Sequence, residues 1–345
     1  MNDSTNFLAR TNAQFDSSSF TVKTDMPYAD ANALAHGAVA VPLLPLGHIR
    51  TTGLDAADFL HKLLSSDVAG LAHDAVQWSS FNTAQGRMLA NFLLWRDGEE
   101  LCFAPSADIA PALLKKLSMY VLRAKASLSL AGTEQVLMGL AGNDAGNVLS
   151  RAALPAPKED MRQAVSENIR SLRINSHLFI LDLPAASAPG VLDSLLQAGG
   201  TAGNTASWHL ANIRAGLPLV TAATSEGFVA QMLNFELIGG VSFSKGCYPG
   251  QEIIARTQHL GKPKRRLFRI KLPASADGIT VGTPLYTSEV EQPIGNIINV
   301  APLPDGSEAL AVLRVETAVT GNGINASSPG GGRVKVLDLP YGIPQ

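Results

Sequence analysis

The hydrophobic pattern of this chain changes at about residue 262, and this change limits the folds that the chain can adopt. Before that point, segments with helical spacing of apolar residues alternate with short apolar runs that are typical of strands. After it, only short strand-like runs follow, separated by turn residues such as Asp305-Gly306. The first pattern predicts an α+β fold with mainly antiparallel sheets, and the second predicts a small β-barrel.

Individual elements follow from the same periodicity. Helices are predicted at 56–64, 107–121, 191–197 and 208–213. Strands are predicted at 89–95, 100–104, 137–141, 172–174 and 178–183, and in the barrel at 267–272, 283–286, 293–300, 309–315 and 334–337. We therefore divide the chain into a flexible polar tail (1–27), an α+β body (28–261) and a C-terminal β-barrel domain (262–345).

The bulk composition excludes several classes of protein. With 27 basic and 29 acidic residues the net charge is −2, so no overall charge attracts the chain to nucleic acid or to an anionic membrane. The two cysteines, Cys102 and Cys247, lack the spacing of a disulfide scaffold, which fits a reducing cytosol. The polar start lacks the apolar region of a signal peptide, and no apolar run is long enough to cross a bilayer. We expect a cytoplasmic protein without a membrane partner.

The segment Lys245–Glu252 contains the most chemically suggestive residue, Cys247. Two glycines and a proline surround the thiol, so the backbone there is a shaped turn. Lys245 lies two positions before the thiol and favours the reactive thiolate. A buried small cysteine in a Gly/Pro turn is an equally open interpretation of the local chemistry. Cys102 lies between apolar neighbours and is expected to be an inert core residue.

The motifs of several common enzyme classes are absent from the sequence. There is no phosphate-binding loop of the Walker type, no zinc-protease motif, no serine nucleophile elbow and no calcium-binding loop. The seven histidines are scattered without metal-pair spacing, so no metal site is predicted. One thiol cannot hold an iron–sulfur cluster, which normally takes about four ligands. Any cluster handled here is therefore transient or shared with a partner.

The run Gly240–Arg256 resembles the signature of the YgfZ family, folate-binding proteins related to the T-protein (aminomethyltransferase) of glycine cleavage. Shorter matches follow in order along the chain, at 53–56, 86–88, 120–123, 216–218, 228–234 and 339–341. The resemblance implies two interleaved α+β subdomains around a cavity for tetrahydrofolate or a derivative, with a C-terminal barrel. It also implies a role in maintaining iron–sulfur enzymes, including one that modifies tRNA.

The signature implies a site. Cys247 and Lys245 are the predicted catalytic residues, with Lys245 activating the thiol. The supporting residues from the signature are Gly246, Tyr248, Gly250, Gln251, Glu252 and Arg256. The predicted folate contacts are Gln231, whose amide matches the donor and acceptor edge of a pterin, together with Arg214 and Asn91. The nearby Asn234 is expected to have a structural role.

Two positions depart from the T-protein pattern. Asn91 stands where that enzyme has a catalytic aspartate, and a neutral amide cannot act as a base. Arg214 replaces a glutamate associated with the pterin. Arg214 either meets the glutamyl tail of a folate or forms an ion pair with a neighbouring carboxylate.

A basic run at 262–271 follows the thiol segment. Such a run is a solvated strand face, a docking surface for an acidic protein or, with less support because it lacks stacking aromatics, a tRNA contact. The leading hypothesis is a folate-binding accessory protein for iron–sulfur clients or assembly proteins. The alternatives are a tetrahydrofolate-dependent aminomethyl transferase with an altered mechanism and a folate-binding scaffold without thiol chemistry.

Overall fold

The computed structural model describes residues 14–17, 21–23, 27–276, 278–288, 290–320 and 323–344. The helices are α1 (Ala31–His36), α2 (Ala56–Leu63), α3 (Ala110–Ser118), α4 (Ala145–Arg151), α5 (Ala188–Gln197), α6 (Thr205–Arg214), α7 (Gln251–Leu260) and α8 (Val315–Thr320), with a 3-10 turn at Ala230–Leu233. Across these described residues, no helix is long and apolar enough to cross a membrane.

The strands fall into four sheets. Those before residue 210 are β1 (Gln14–Asp16), β2 (Thr21–Lys23), β3 (Val39–Pro42), β4 (Ile49–Thr52), β5 (Val76–Asn82), β6 (Met88–Asp97), β7 (Glu100–Ala104), β8 (Ser127–Leu130), β9 (Gln135–Ala141), β10 (Arg162–Ser166), β11 (Ile169–Asn175), β12 (Leu178–Pro184) and β13 (Thr201–Ala202). The later strands are β14 (Arg265–Pro273), β15 (Pro284–Thr287), β16 (Val290–Leu303), β17 (Gly306–Arg314), β18 (Ile324–Ala326) and β19 (Lys335–Leu337).

The chain divides into two compact units that interleave in sequence. The first comprises Met1–Phe59, Val68–Gln77 and Phe92–Ala211, and the second comprises Leu60–Asp67, Trp78–Asn91 and Asn212–Gln345. Strands β5 and β6 therefore contribute residues to both units.

The first unit contains a six-stranded sheet in the order β10-β11-β12-β9-β3-β13. Its pairs are antiparallel apart from the parallel pair β3–β13. Leu140 and Phe179 lie on the core side with Val148 of α4 and Leu192 of α5, and all four are at most 1% exposed. These helices and strands are amphipathic or apolar in sequence, so burial of their apolar faces stabilises the unit.

A second sheet has the order β5-β6-β7-β4-β8. Within the first unit, β6 pairs with β7, the strands predicted at 89–95 and 100–104, as a hairpin that closes between Asp97 and Glu100. In the second unit, β14 to β19 form a curled antiparallel sheet that resembles a half-barrel, in the order β18-β15-β16-β17-β14-β19. Its core includes Ile270 and Leu313, both fully buried.

The predicted α+β class with mainly antiparallel sheets is confirmed, and the small β-barrel predicted at the C-terminus is found as a curled six-stranded antiparallel sheet that resembles a half-barrel. Several boundaries differ: the helix predicted at 107–121 covers Ala110–Ser118, and Val315, predicted as the end of a strand, begins α8. The sequence reasoning missed α7, β3, β4 and β5. Of the predicted tail (1–27), residues 1–13, 18–20 and 24–26 lie outside the described residues. Within the described part, Gln14–Asp16 pairs with Thr21–Lys23. The division at residue 262 stays a prediction.

Candidate functional site

Cys247 lies on an irregular segment, residues 240–250, which we call the thiol turn. Its side chain is exposed, so the interpretation as a buried small residue is wrong. Gly246 before it is exposed as well, whereas Tyr248 after it is only 5% exposed. The thiol therefore stands between an open glycine and a buried ring. By contrast, Cys102 is buried, as predicted, and burial raises the pKa of its thiol far above the usual range.

Lys245 anchors the thiol turn at the end of α2. Its Nζ donates hydrogen bonds to the carbonyl oxygens of His61, of Leu64 at 2.7 Å and of Ser66 at 3.0 Å. The last carbonyls of a helix have no partner within the helix, so an ammonium group with three donors satisfies them well. Burial lowers the pKa of Lys245 to about 8, against an opposing effect of Asp67. The ammonium also lies 5.1 Å from the ring centroid of Tyr248.

A serine cluster supports the same anchor. Ser65, fully buried, donates from Oγ to the carbonyl of Gly240 at 2.6 Å. Its own carbonyl accepts from the backbone N–H of Ser242 at 2.9 Å. The Oγ of Ser65 also accepts from the backbone N–H of Ser80 on β5 at 2.9 Å. The start of the thiol turn is thus fixed by bonds that are distant in sequence.

The other end of the thiol turn is fixed by two glycines. Gly250 has φ +80°, and a Cβ there would lie 2.5 Å from the carbonyl oxygen of Thr83 and 2.6 Å from the Cα of Gly86. Gly86 also has a positive φ of +73°, and its Cβ would be in tight contact, 3.2 Å, with the carbonyl oxygen of Gly250. Only glycine fits both the positive φ and the close backbone approach. The predicted signature and the separate match at 86–88 therefore meet here.

Helix α7 begins directly after Gly250 and carries the remaining signature residues. Gln251 is half-buried in its first turn, while Glu252 and Arg256 are exposed. Among the described residues, no side chain forms a capping hydrogen bond at the N-terminus of α7. This helix was missed because the Gly/Pro pattern of the thiol turn hid the helical spacing that begins at Gln251.

Gln231 lies in the 3-10 turn and is fully buried. Its Nε2 donates to the carbonyl of Ile254 on α7 at 2.7 Å, whereas its Oε1 has no partner among the described residues. Asn234 ends this turn with φ 55° and donates to the carbonyl of Leu267 at 2.9 Å, in keeping with a structural role.

Asn91 is fully buried, and its amide bonds to the backbone at both ends. Nδ2 donates to the carbonyl of Pro218 at 2.7 Å, and Oδ1 accepts from the N–H of Val220 at 2.7 Å. An amide suits this pairing because it is donor and acceptor at once, which an ionised carboxylate is not.

Arg214 forms the ion pair that the sequence left open as one of two alternatives. It bonds to Glu308, which also accepts from Arg269. Arg269 belongs to the basic run at 262–271, and two further residues of this run also form ion pairs. Arg266 bonds to the buried side chain of Glu236, and Lys271 bonds to Asp305. These bonds reduce the charge that the run at 262–271 can offer to a partner. No group of three or more histidine, cysteine or acidic side chains suited to a metal ion occurs within the described ranges.

The tRNA-modifying protein YgfZ of Escherichia coli (strain K12) is 28% identical to this chain over 270 residues, covering 76% of this chain and 81% of that protein. The protein of the same name from E. coli O127:H6 (strain E2348/69 / EPEC) gives the same figures. No protein-family model matches the chain. The crystal structure of the glycine cleavage system aminomethyltransferase T from Bartonella henselae matches with a TM-score of 0.78 and 20% identity, over 97% of this chain and 96% of that one. The predicted fold is thereby confirmed.

Proposed function

Because this chain is related to the YgfZ proteins and has the fold of aminomethyltransferase T, we propose that it is a folate-binding accessory protein for iron–sulfur enzymes. Its clients include enzymes that modify tRNA, in line with the name of its relatives. The observation that carries the proposal is the exposed thiol of Cys247 on a turn held at both ends. A thiol placed for reaction with a partner has to be both accessible and fixed.

In this proposal, Cys247 loses its proton and supplies one thiolate ligand to an iron atom of a client's cluster. The remaining ligands come from the partner, because iron–sulfur clusters normally take about four. Lys245 acts on the thiol by anchoring the turn, since its three N–H donors are committed to carbonyls. The exposed Glu252 and Arg256 belong to the surface that meets the partner.

The residues of the second unit fit a folate. The Oε1 of Gln231 is a buried acceptor without a partner among the described residues, which suits the N–H donors of a pterin edge. A bound tetrahydrofolate supplies a reduced pterin that carries one-carbon units. Arg214 and Asn91 remain candidate contacts, although both already have protein partners.

The geometry of Asn91 disfavours the alternative of aminomethyl transfer. That reaction, in the T-protein pattern, relies on an acid at this position. Here an amide stands there, and its bonds to Pro218 and Val220 leave no group that could take up a proton.

The test is calorimetric titration with tetrahydrofolate of the wild type and of Cys247→Ala. Equal affinities with lost rescue of tRNA modification, in a strain that lacks the gene, support a thiol function separate from folate binding. Full rescue by Cys247→Ala removes the thiol from the mechanism and leaves the scaffold alternative. Absence of tetrahydrofolate binding by the wild type refutes the folate assignment.

A further inference from the structure

Four large apolar side chains lie on the surface of the first unit, in two short segments beside helices. Leu54 precedes α2 and Leu122 follows α3, and each is 88% exposed. Met119 and Tyr120, at the end of α3, are 69% and 47% exposed. Burial of large apolar side chains is favourable, so a cluster of them left in water indicates a surface that a partner covers. We call these four residues the apolar patch.

Backbone contacts bring the two segments together. The N–H of Lys125 donates to a carboxylate oxygen of Asp55 at 2.7 Å, and the N–H of Asp55 donates to the carbonyl of Lys125 at 3.2 Å. On the other side of Leu54, a Cβ on Gly53 would lie 2.1 Å from the same carbonyl oxygen. Leu54 therefore lies between two residues that touch Lys125, which belongs to the same loop as Leu122.

Leu122 has a backbone conformation that leucine rarely adopts. Its φ is +42°, in the region where the Cβ of an ordinary residue is crowded and which glycine favours. Because the side chain is almost fully exposed, packing within the chain does not offset this strain. Strained residues of this kind cluster at functional sites, which suits a side chain that is presented to a partner.

The surroundings of the apolar patch are basic. Between Asp108 and Glu134 the chain has no acidic residue, whereas it has four exposed basic ones: Lys115, Lys116, Arg123 and Lys125. None of these four forms an ion pair with an acidic side chain in the part of the chain that the structure describes. In this they differ from the paired cations of the run at 262–271. Their charge is available to an acidic partner.

We propose that the apolar patch is the docking surface for a second protein, one that presents an apolar socket with a carboxylate rim. Tyrosine, methionine and arginine are enriched where proteins meet, and complementary charge around the contact gives specificity. A symmetric pair of copies of this chain is disfavoured, because it would place the same cations against each other. The patch lies in the first unit and the thiol turn in the second, so docking is a function beyond those of the thiol and the folate.

Two other kinds of partner fit the apolar patch less well. Tyr120 is its single aromatic residue, whereas single-stranded RNA is bound by a series of stacking rings. Leu54 and Leu122 lie in loops and not along one face of an amphipathic helix, which disfavours a membrane surface.

The test is photo-crosslinking within the cell. The photoreactive residue p-benzoylphenylalanine replaces Leu122 in the full chain, and peptide mass spectrometry identifies the captured segment. We expect a segment rich in aspartate and glutamate, and an about tenfold loss of adduct when Lys115, Lys116 and Arg123 are all changed to Glu. The control places the same photoreactive residue at Val165 on β10, which is 52% exposed, and there we expect no such adduct.

Several outcomes overturn the proposal. They are adducts that survive the charge reversal, adducts with a second copy of this chain, equal adducts from Val165, and no adduct from either Leu122 or Leu54. Sedimentation of the purified protein with phosphatidylglycerol vesicles, if Leu122→Ser abolishes it, overturns the proposal in favour of a membrane surface.

The variant Leu122→Gly separates docking from folding. Glycine relaxes the backbone, so we expect an unchanged or raised thermal midpoint, while adducts from p-benzoylphenylalanine at Met119 fall about tenfold. A lowered midpoint with unchanged adducts would show that the leucine serves the fold. Tetrahydrofolate affinity and alkylation of Cys247 stay as in the wild type, so failure of docking is distinguishable from failure of the proposed function.

Discussion

Arg214 holds the carboxylate of Glu308 at two points, 2.9 Å from Nη2 to Oε1 and 3.4 Å from Nε to Oε2. The Glu308 side chain is only 6% exposed, and its Oε2 also accepts hydrogen bonds from Arg269. Arg214 ends α6, while Glu308 lies on β17 of the curled sheet. The position at which the T-protein pattern has an acid therefore carries, in this chain, a cation that is paired with Glu308.

We expect Arg214→Met to lower the free energy of unfolding by about 1–2 kcal/mol, because Glu308 stays buried with one partner instead of two. Chemical denaturation measures this. Lys271→Met is the control: its pair with Asp305 is largely exposed, and we expect a change of at most about 0.5 kcal/mol. If Arg214→Met folds as stably as the wild type but binds tetrahydrofolate more weakly, the arginine serves the ligand and not the fold.

Asn91→Asp restores the acid of the T-protein pattern, yet we expect it to destabilise the protein by about 2–4 kcal/mol at pH 8. The new carboxylate oxygen would face the carbonyl of Pro218, which needs a donor. Burial raises the pKa of such an acid in the folded state, so the loss is smaller near pH 5, where the protonated acid can donate. Denaturation at both pH values checks this, and a variant that gains aminomethyl transfer would contradict our assignment of Asn91.

The lowered pKa of Lys245 predicts that the stability of the folded protein depends on pH. Its folded pKa of about 8 lies below the usual 10.5, so between these values the unfolded chain binds a proton that the folded chain does not. A rise in pH within this range therefore opposes unfolding. We expect the stability of the wild type relative to Lys245→Met to increase from pH 7.5 to pH 9.5. The exposed Lys62→Met is the control, and a flat difference for Lys245→Met would show that its ammonium is not buried in solution.

The two cysteines should differ sharply in reactivity. Cys247 is exposed, while Cys102 is buried with a raised pKa. We expect iodoacetamide to add one label per native chain and two per unfolded chain, with the native label on Cys247. Peptide mass spectrometry locates it. A label on native Cys102 would mean that β7 opens under native conditions.

The sequence predicted elements whose signal is local. The hairpin of β6 and β7 and the helix α2 follow from periodicity and turn residues close to each other in the chain. The turn around Cys247 followed from its glycines and proline, whereas the exposure of the thiol did not and is known only from the structure. The fold was predicted from the resemblance, and the match to aminomethyltransferase T confirms that fold.

Contacts between distant segments could not be predicted in this way. Lys245 donates hydrogen bonds to backbone carbonyls. Because every residue has a backbone carbonyl, no residue type in the sequence identifies these partners. The pair Arg214–Glu308 joins segments far apart, and the sequence could only offer an unnamed carboxylate as one alternative. That the hydroxyl of Tyr248 is buried, with no hydrogen-bond partner among the described residues, is visible only in the structure.

The contact of Gly86 with Gly250 has a consequence for how such a chain can vary over evolutionary time. A Cβ on Gly250 would lie only 2.6 Å from the Cα of Gly86, a Cβ on Gly86 would lie 3.2 Å from the carbonyl oxygen of Gly250, and both glycines have a backbone conformation that other residues rarely adopt. A substitution at one position therefore cannot be relieved by a change at the other. Both positions are therefore expected to remain glycine, so the turn that presents the thiol and the turn before β6 are inherited as a single unit.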